Sequence, residues 1–167
     1  DERTSTVRPT SVLYRNDGAG AFTNVTLATG LGLECYGMGA AVGDYDNDGD
    51  VDVFITAVGV NHLLRNDDGV FADATANAGV AGDAKDWSTG AAFFDADNDG
   101  DLDLLVCNYI RWSRDIDFAV DYKLTGVGRA YGPPTNFEGA HSRYYVNNGD
   151  GTFTDASEAA GFLVVNE

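Results

Sequence analysis

A chain of 167 residues, 44% of them hydrophobic, is long enough to bury a core of its own, which excludes a disordered tail. Its 27 acidic residues against 10 basic ones leave a formal charge of -17, which repels nucleic acid and anionic membrane surfaces and attracts cations. No run approaches the roughly 18 to 20 apolar residues that span a bilayer, and the opening Asp1-Glu2-Arg3-Thr4 carries no export signal, so the expectation is a secreted chain whose signal has been removed.

Glycine is abundant at 21 residues, proline scarce at 3, and the apolar runs are short, alternating and rich in β-branched residues, which predicts an all-β protein of short strands joined by turns. The first element is a leading hairpin over 12–30, where Asn16-Asp17-Gly18 turns the chain towards Phe22. Next comes Gly39-Ala40-Ala41-Val42-Gly43, then the acidic run Asp44-Tyr45-Asp46-Asn47-Asp48-Gly49-Asp50-Val51-Asp52, then the apolar strand Val53-Phe54-Ile55. Asn66-Asp67-Asp68-Gly69 leading to Phe71 makes a second hairpin and closes a first four-stranded unit over 36–80. The pattern returns 51 residues on, with Gly90-Ala91-Ala92 before Asp95-Ala96-Asp97-Asn98-Asp99-Gly100-Asp101-Leu102-Asp103, and Asn147-Asn148-Gly149-Asp150-Gly151 leading to Phe153 closes a second unit over 88–162. In all three hairpins an Asn or Asp lies two residues after the Phe (Asn24, Asp73, Asp155) and a Gly six residues later (Gly30, Gly79, Gly161). The whole of 1–167 is read as one domain of tandem repeats.

Aspartate at positions 1, 3, 5, 7 and 9 of a loop, with Gly at 6, suits a hard cation. Calcium takes about 6 to 8 oxygens, and alternate residues of a turning loop can aim several carboxylates at one centre. The expected ligands are the side chains of Asp44, Asp46, Asp48 and Asp52 with the backbone carbonyl of Asp50. In the second loop they are Asp95, Asp97, Asp99 and Asp103 with the carbonyl of Asp101, making two calcium ions in all. Gly49 and Gly100 supply the positive φ that reverses each loop. Without a cation the crowded aspartates repel one another, which couples metal binding to folding. An EF-hand requires a glutamate at position 12, where this chain has Ile55 and Val106, and zinc lacks His or Cys in either loop.

These residues resemble the FG-GAP, or VCBS, repeats of integrin α-subunit propellers and of many secreted bacterial proteins, and the hairpin at 147–155 is similar to repeats of the cartilage acidic protein and its bacterial relatives. The resemblance covers roughly 12–162. It implies four-stranded antiparallel propeller-type blades with calcium in the loop between the first two strands, outside the cell. Two units and a leading hairpin do not close a ring of about 4 to 8 blades, so the expectation is a partial or open propeller. Either the chain is an excerpt of a longer protein, or its open sheet edges are completed by other copies of itself in self-assembly.

Asp52 and Asn66 are 14 residues apart, whereas Asp103 and Asn147 are 44 apart, so the second unit carries an insertion of 30 residues at about 111–142. Its Trp112, Tyr122, Arg129 and Tyr131 either form a contact surface for a protein or glycan or pack the loop onto its own sheet. His62 and His141 sit in no catalytic motif, and Asn24-Val25-Thr26 fits the glycosylation pattern. Cys35 and Cys107 are either one bridge or two thiols. The functional expectation is a non-enzymatic, calcium-binding module for adhesion or structure. The alternative is part of a carbohydrate-active enzyme or lectin, with Asp115, Asp117, Asp121, Lys123 and Arg129 of the insertion as the acid-base candidates.

Overall fold

The computed structural model describes residues 10–163. Its strands are antiparallel and form two four-stranded sheets and two smaller ribbons, none closed into a barrel. The leading hairpin pairs β1 (Tyr14–Gly18) with β2 (Ala21–Asn24) and ends in the short helix α1 (Thr26–Thr29). The first sheet is a meander of β3 (Gly37–Gly43), β4 (Asp52–Ala57), β5 (His62–Asp67) and β6 (Val70–Asp73), closed by α2 (Thr75–Ala78). In the second, β7 (Asp86–Phe94) and β8 (Asp103–Arg111) are followed by the insertion, with α3 (Arg114–Val120) and a ribbon of β9 (Lys123–Leu124) and β10 (Gly128–Arg129). The chain then re-enters the same sheet as β11 (Arg143–Asn147) and β12 (Phe153–Asp155).

One local device explains the regular spacing of the hairpins. After each second strand the Asn or Asp side chain accepts from the backbone N–H two residues on: Asn24 from Thr26, Asp73 from Thr75, Asp155 from Ser157. The hydroxyl of that Thr or Ser then accepts from the backbone N–H of the hairpin's first strand or the residue just before it, at Leu13 (2.9 Å), Leu63 (2.9 Å) and Tyr144 (3.0 Å). Such side-chain turns compete with helix and sheet and so stop the strand where they form. The glycine that follows ends the helical turn in the left-handed region; Gly79, at φ 79°, donates its N–H to the Thr75 carbonyl. Thr75 and Leu63 are both buried. Thr75→Val should therefore leave the Leu63 N–H unpaired and cost about 1–3 kcal/mol in urea unfolding; an unchanged midpoint would show that the clamp contributes nothing.

The sheets pack through a shared apolar layer. On β4, Phe54 points towards the second sheet and joins Tyr45, Leu63, Val80, Leu104, Val106, Tyr145 and Phe153, whereas Ile55, with partly buried Val53 packed alongside, points the other way, to Leu31, Leu64 and the leading hairpin's Leu13. The strand is apolar on both faces because each face is covered. Phe54 meets Phe93 edge-on at 6.4 Å, and Tyr45 stacks on Phe153 at 5.8 Å. The Asn147 side chain donates to the Tyr45 carbonyl (2.8 Å) and so ties the second sheet to the first acidic loop.

Within the insertion the structure adds an element that strand patterning did not predict. Ser113 caps α3 by accepting from Ile116 N, and Asp115 and Asp117 sit in its first turn, where the helix dipole favours negative charge. Cys35 and Cys107 are both free thiols, which decides the cysteine question against a bridge.

Candidate metal centres

Each acidic loop leaves its sheet at the end of the first strand and returns at the start of the second. In the first, carboxylate oxygens of Asp44, Asp46 and Asp48 lie within 4.8 Å of one another. The loop holds that shape with its own hydrogen bonds: Asp44 accepts from the N–H groups of Asp48 (3.1 Å) and Gly49 (3.0 Å), and Asp48 accepts from Asp50 N (2.8 Å). Gly49 has φ 96°, the left-handed conformation expected of it. The second loop repeats the pattern, with Asp95, Asp97 and Asp99 within the same 4.8 Å. Asp95 accepts from Asp99 N and Gly100 N (both 3.2 Å), Asp99 accepts from Asp101 N, and Gly100 has φ 98°.

The aspartates at positions 7 and 9 lie outside these triads and have partners of their own. Asp52 is fully buried; its Oδ2 accepts from Tyr45 N (3.0 Å) and its Oδ1 from Asn66 N (2.8 Å), pinning the loop to the next hairpin. Asp103 does the same with Ala96 N and Asn147 N, and also accepts from the Tyr144 hydroxyl at 2.7 Å. The Asp50 side chain accepts from Asp68 N and that of Asp101 from the Asn47 side chain (2.6 Å), so the two loops touch through an Asn–Asp pair. This pinning duty of position 9 was not foreseen in the sequence, although its sign was there: an aspartate entering an otherwise apolar strand.

Electrostatics and burial bear on whether a cation fits. Asp46 Oδ1 is buried without a hydrogen-bond partner, inside a group of like charges. Its carboxyl is raised above the usual range, first by burial and then by the charge of Asp48. Burial likewise pushes Asp52 up to about 6, against the pull of the Asn66 and Tyr45 N–H groups, with Asp46 and Asp48 adding to the push. An orphaned acceptor oxygen among three carboxylates is what a hard divalent ion would satisfy, so the donor set of the first loop fits one. In the second loop Asp97 is raised by the same causes in the same order, but its triad is exposed throughout. The difference follows from packing: Tyr45 of the first loop is buried against the second sheet, stacked on Phe153, whereas Ala96 at the matching place of the second loop is exposed.

The FG-GAP-like repeat matches twice, over residues 5–55 and 44–106. The chain belongs to the FG-GAP-like repeat family. The two matches overlap on the first acidic loop, and the second runs from that loop through the second to the end of the apolar part of β8. A search of curated proteins gives no match. No helix among the described residues of this FG-GAP-like chain is long and apolar enough to cross a membrane.

The insertion residues divide between two clusters. Trp112 packs edge-on against Trp87 (6.0 Å), which also meets Tyr109. Arg129 belongs with α3, where it pairs with Asp117 and lies 4.3 Å over the Phe118 ring. Tyr131 is exposed, while Tyr122 is partly buried, close to Gly132. Of the acid-base candidates, Asp117 and Arg129 neutralise each other and Lys123 pairs with Asp121 at 2.6 Å. His62 lies 3.6 Å from Asp73. His141 lines a cavity of about 110 Å³ with Arg111, Arg143 and the buried Asp86, in which Asp86 bridges the two arginines at 3.1 and 3.3 Å. Asn24 is exposed, but its side-chain oxygen is engaged in the turn described above, a duty it shares with Asp73 and Asp155.

Proposed function

We propose that this chain is a calcium-binding β-repeat module that serves adhesion or structure outside the cell. The observation that carries the reading is the orphaned, buried Asp46 oxygen inside the Asp44–Asp48 triad, repeated in outline at Asp95, Asp97 and Asp99. Those six side chains would hold two ions, with Asp52 and Asp103 close behind them and the Asp50 and Asp101 carbonyls completing the oxygen set. Calcium would supply charge neutralisation and cross-bracing. The protein's part is to present oxygens on a loop that its own backbone bonds have already shaped, which lowers the ordering cost of binding. The acidic surface, with a net charge of -17, supports a setting where divalent cations are plentiful. Asp117, Asp121, Lys123 and Arg129 of the insertion are tied up in ion pairs, which favours a binding module over an enzyme.

Titration calorimetry with calcium tests the reading. Wild type should bind two ions, Asp46→Asn and Asp97→Asn one each, and the first-loop site should be the tighter because it is half-buried. Absence of heat with calcium in the wild type, or unchanged stoichiometry in both variants, would overturn it. A glycan-binding role has narrower support, the Trp87–Tyr109–Trp112 cluster, and would appear as carbohydrate binding lost in Trp112→Ala with both calcium sites intact.

A further inference from the structure

Position 7 of the two acidic loops carries the same residue with different duties. The Asp50 side chain turns back to its own hairpin and accepts from Asp68 N (2.7 Å), whereas the Asp101 side chain reaches across to the first loop and accepts from the Asn47 amide (2.6 Å). Asn47 stands between Asp46 and Asp48, two members of the first triad, and has a left-handed φ of 58°, which asparagine tolerates. Asn98 holds the same place in the second loop with φ 63°, but makes no such bond across the loops among the described residues.

A second amide joins the same two loops. The buried Asn147 side chain donates both to the Leu102 carbonyl of the second loop (3.0 Å) and to the Tyr45 carbonyl of the first (2.8 Å). Tyr45 lies between Asp44 and Asp46, and Leu102 between Asp101 and Asp103. Each set of expected ligands is thus one residue away from a hydrogen bond that ends in the other loop. The contact sets amides between two acidic loops, where carboxylate against carboxylate would repel.

We propose that the two cation sites are coupled, so that filling one raises the affinity of the other. The Asn47–Asp101 bond carries the coupling, and Asn147 holds the two loops in register. This deepens the calcium reading above and rests on it. With its carbonyl held in an occupied second loop, Asp101 offers Asn47 a fixed acceptor, and the backbone from Asp46 to Asp48 is ordered before the first loop is filled. Conformational freedom lost on filling one site is then not lost again on filling the other, which makes the cooperativity positive. By linkage the effect is the same in both directions. Repulsion between two bound cations opposes it, but physiological salt screens that repulsion and leaves the bonds in place.

Calcium calorimetry in physiological salt tests this through a cycle of variants. Asp97→Asn isolates the first site and Asp46→Asn the second, and the product of their association constants is compared with the overall two-ion constant of the wild type. The overall constant should exceed that product at least about fivefold. The same three measurements are repeated on Asn47→Gly, which removes the exposed side chain and accepts the positive φ. Two ions should still bind, and the excess should fall towards one. The loss of charge in each Asp→Asn change is common to both backgrounds and cancels. Asn98→Gly, the matching change in the second loop, should keep the wild-type excess. An excess that survives Asn47→Gly, or that falls as far in Asn98→Gly, would overturn the proposal. Two ions bound independently by the wild type would overturn the coupling alone, whereas no calcium heat at all would overturn the metal reading beneath it.

Discussion

Asp52→Ala should be among the most damaging single substitutions in this chain, costing about 2–5 kcal/mol, because it strands two backbone N–H groups at about 1–3 kcal/mol each. The bond from Tyr45 N, seven residues before, is buried, and that from Asn66 N, 14 residues after, is partly so. The measurement is urea unfolding in excess chelator, so that any loss of metal affinity does not enter. Asp103→Ala should behave alike, since it makes the matching pair of bonds to Ala96 and Asn147. A shift in midpoint worth less than about 0.5 kcal/mol, the range of ordinary surface substitutions, would mean that position 9 is not a structural pin.

Calcium should raise the thermal midpoint steeply. An ion present at a thousand times its dissociation constant contributes about 4 kcal/mol through mass action, and a domain of this size gains roughly 2–4 °C per kcal/mol, so the expected rise is about 8–16 °C for one saturated site. Excess chelator should reverse it. Asp46→Asn provides the control by sign: in calcium the variant should melt below wild type, and in chelator at or above it, since the substitution removes a partly buried charge crowded by Asp44 and Asp48. If wild type and Asp46→Asn rise equally on adding calcium, the first loop is not the site.

Much of this molecule was legible in its residues because the informative interactions are local. The three hairpins are written in Asn and Gly turn residues, and the purpose of Gly30, Gly79 and Gly161 became plain once the turns at Thr26, Thr75 and Ser157 were seen. The triads at Asp44–Asp48 and Asp95–Asp99 come from alternate residues of one short loop, so spacing alone brings them together. What stayed hidden depends on partners distant in sequence. The pinning by Asp52 and Asp103 reaches a later hairpin of the same unit, 14 and 44 residues on, whereas the bond from Asn147 to Tyr45 and the inequality of the two loops arise from how one repeat lies on the next. Helix α3 stayed hidden for a different reason: its only signal is a Ser113 cap and two early aspartates in a chain otherwise patterned for strands.

The insertion between β8 and β11 leaves and re-enters the second sheet across a ladder that stays closed, with Arg143 opposite Val106, Tyr144 opposite Leu105 and Tyr145 opposite Leu104. Both ends of the excursion are therefore held at one spot whatever lies between them. A cut in the peptide near Gly126 would give two pieces that remain bound through that ladder and the layer beneath it. The same spot could accept a foreign sequence or serve as the seam for a split reporter, leaving the repeats on either side undisturbed.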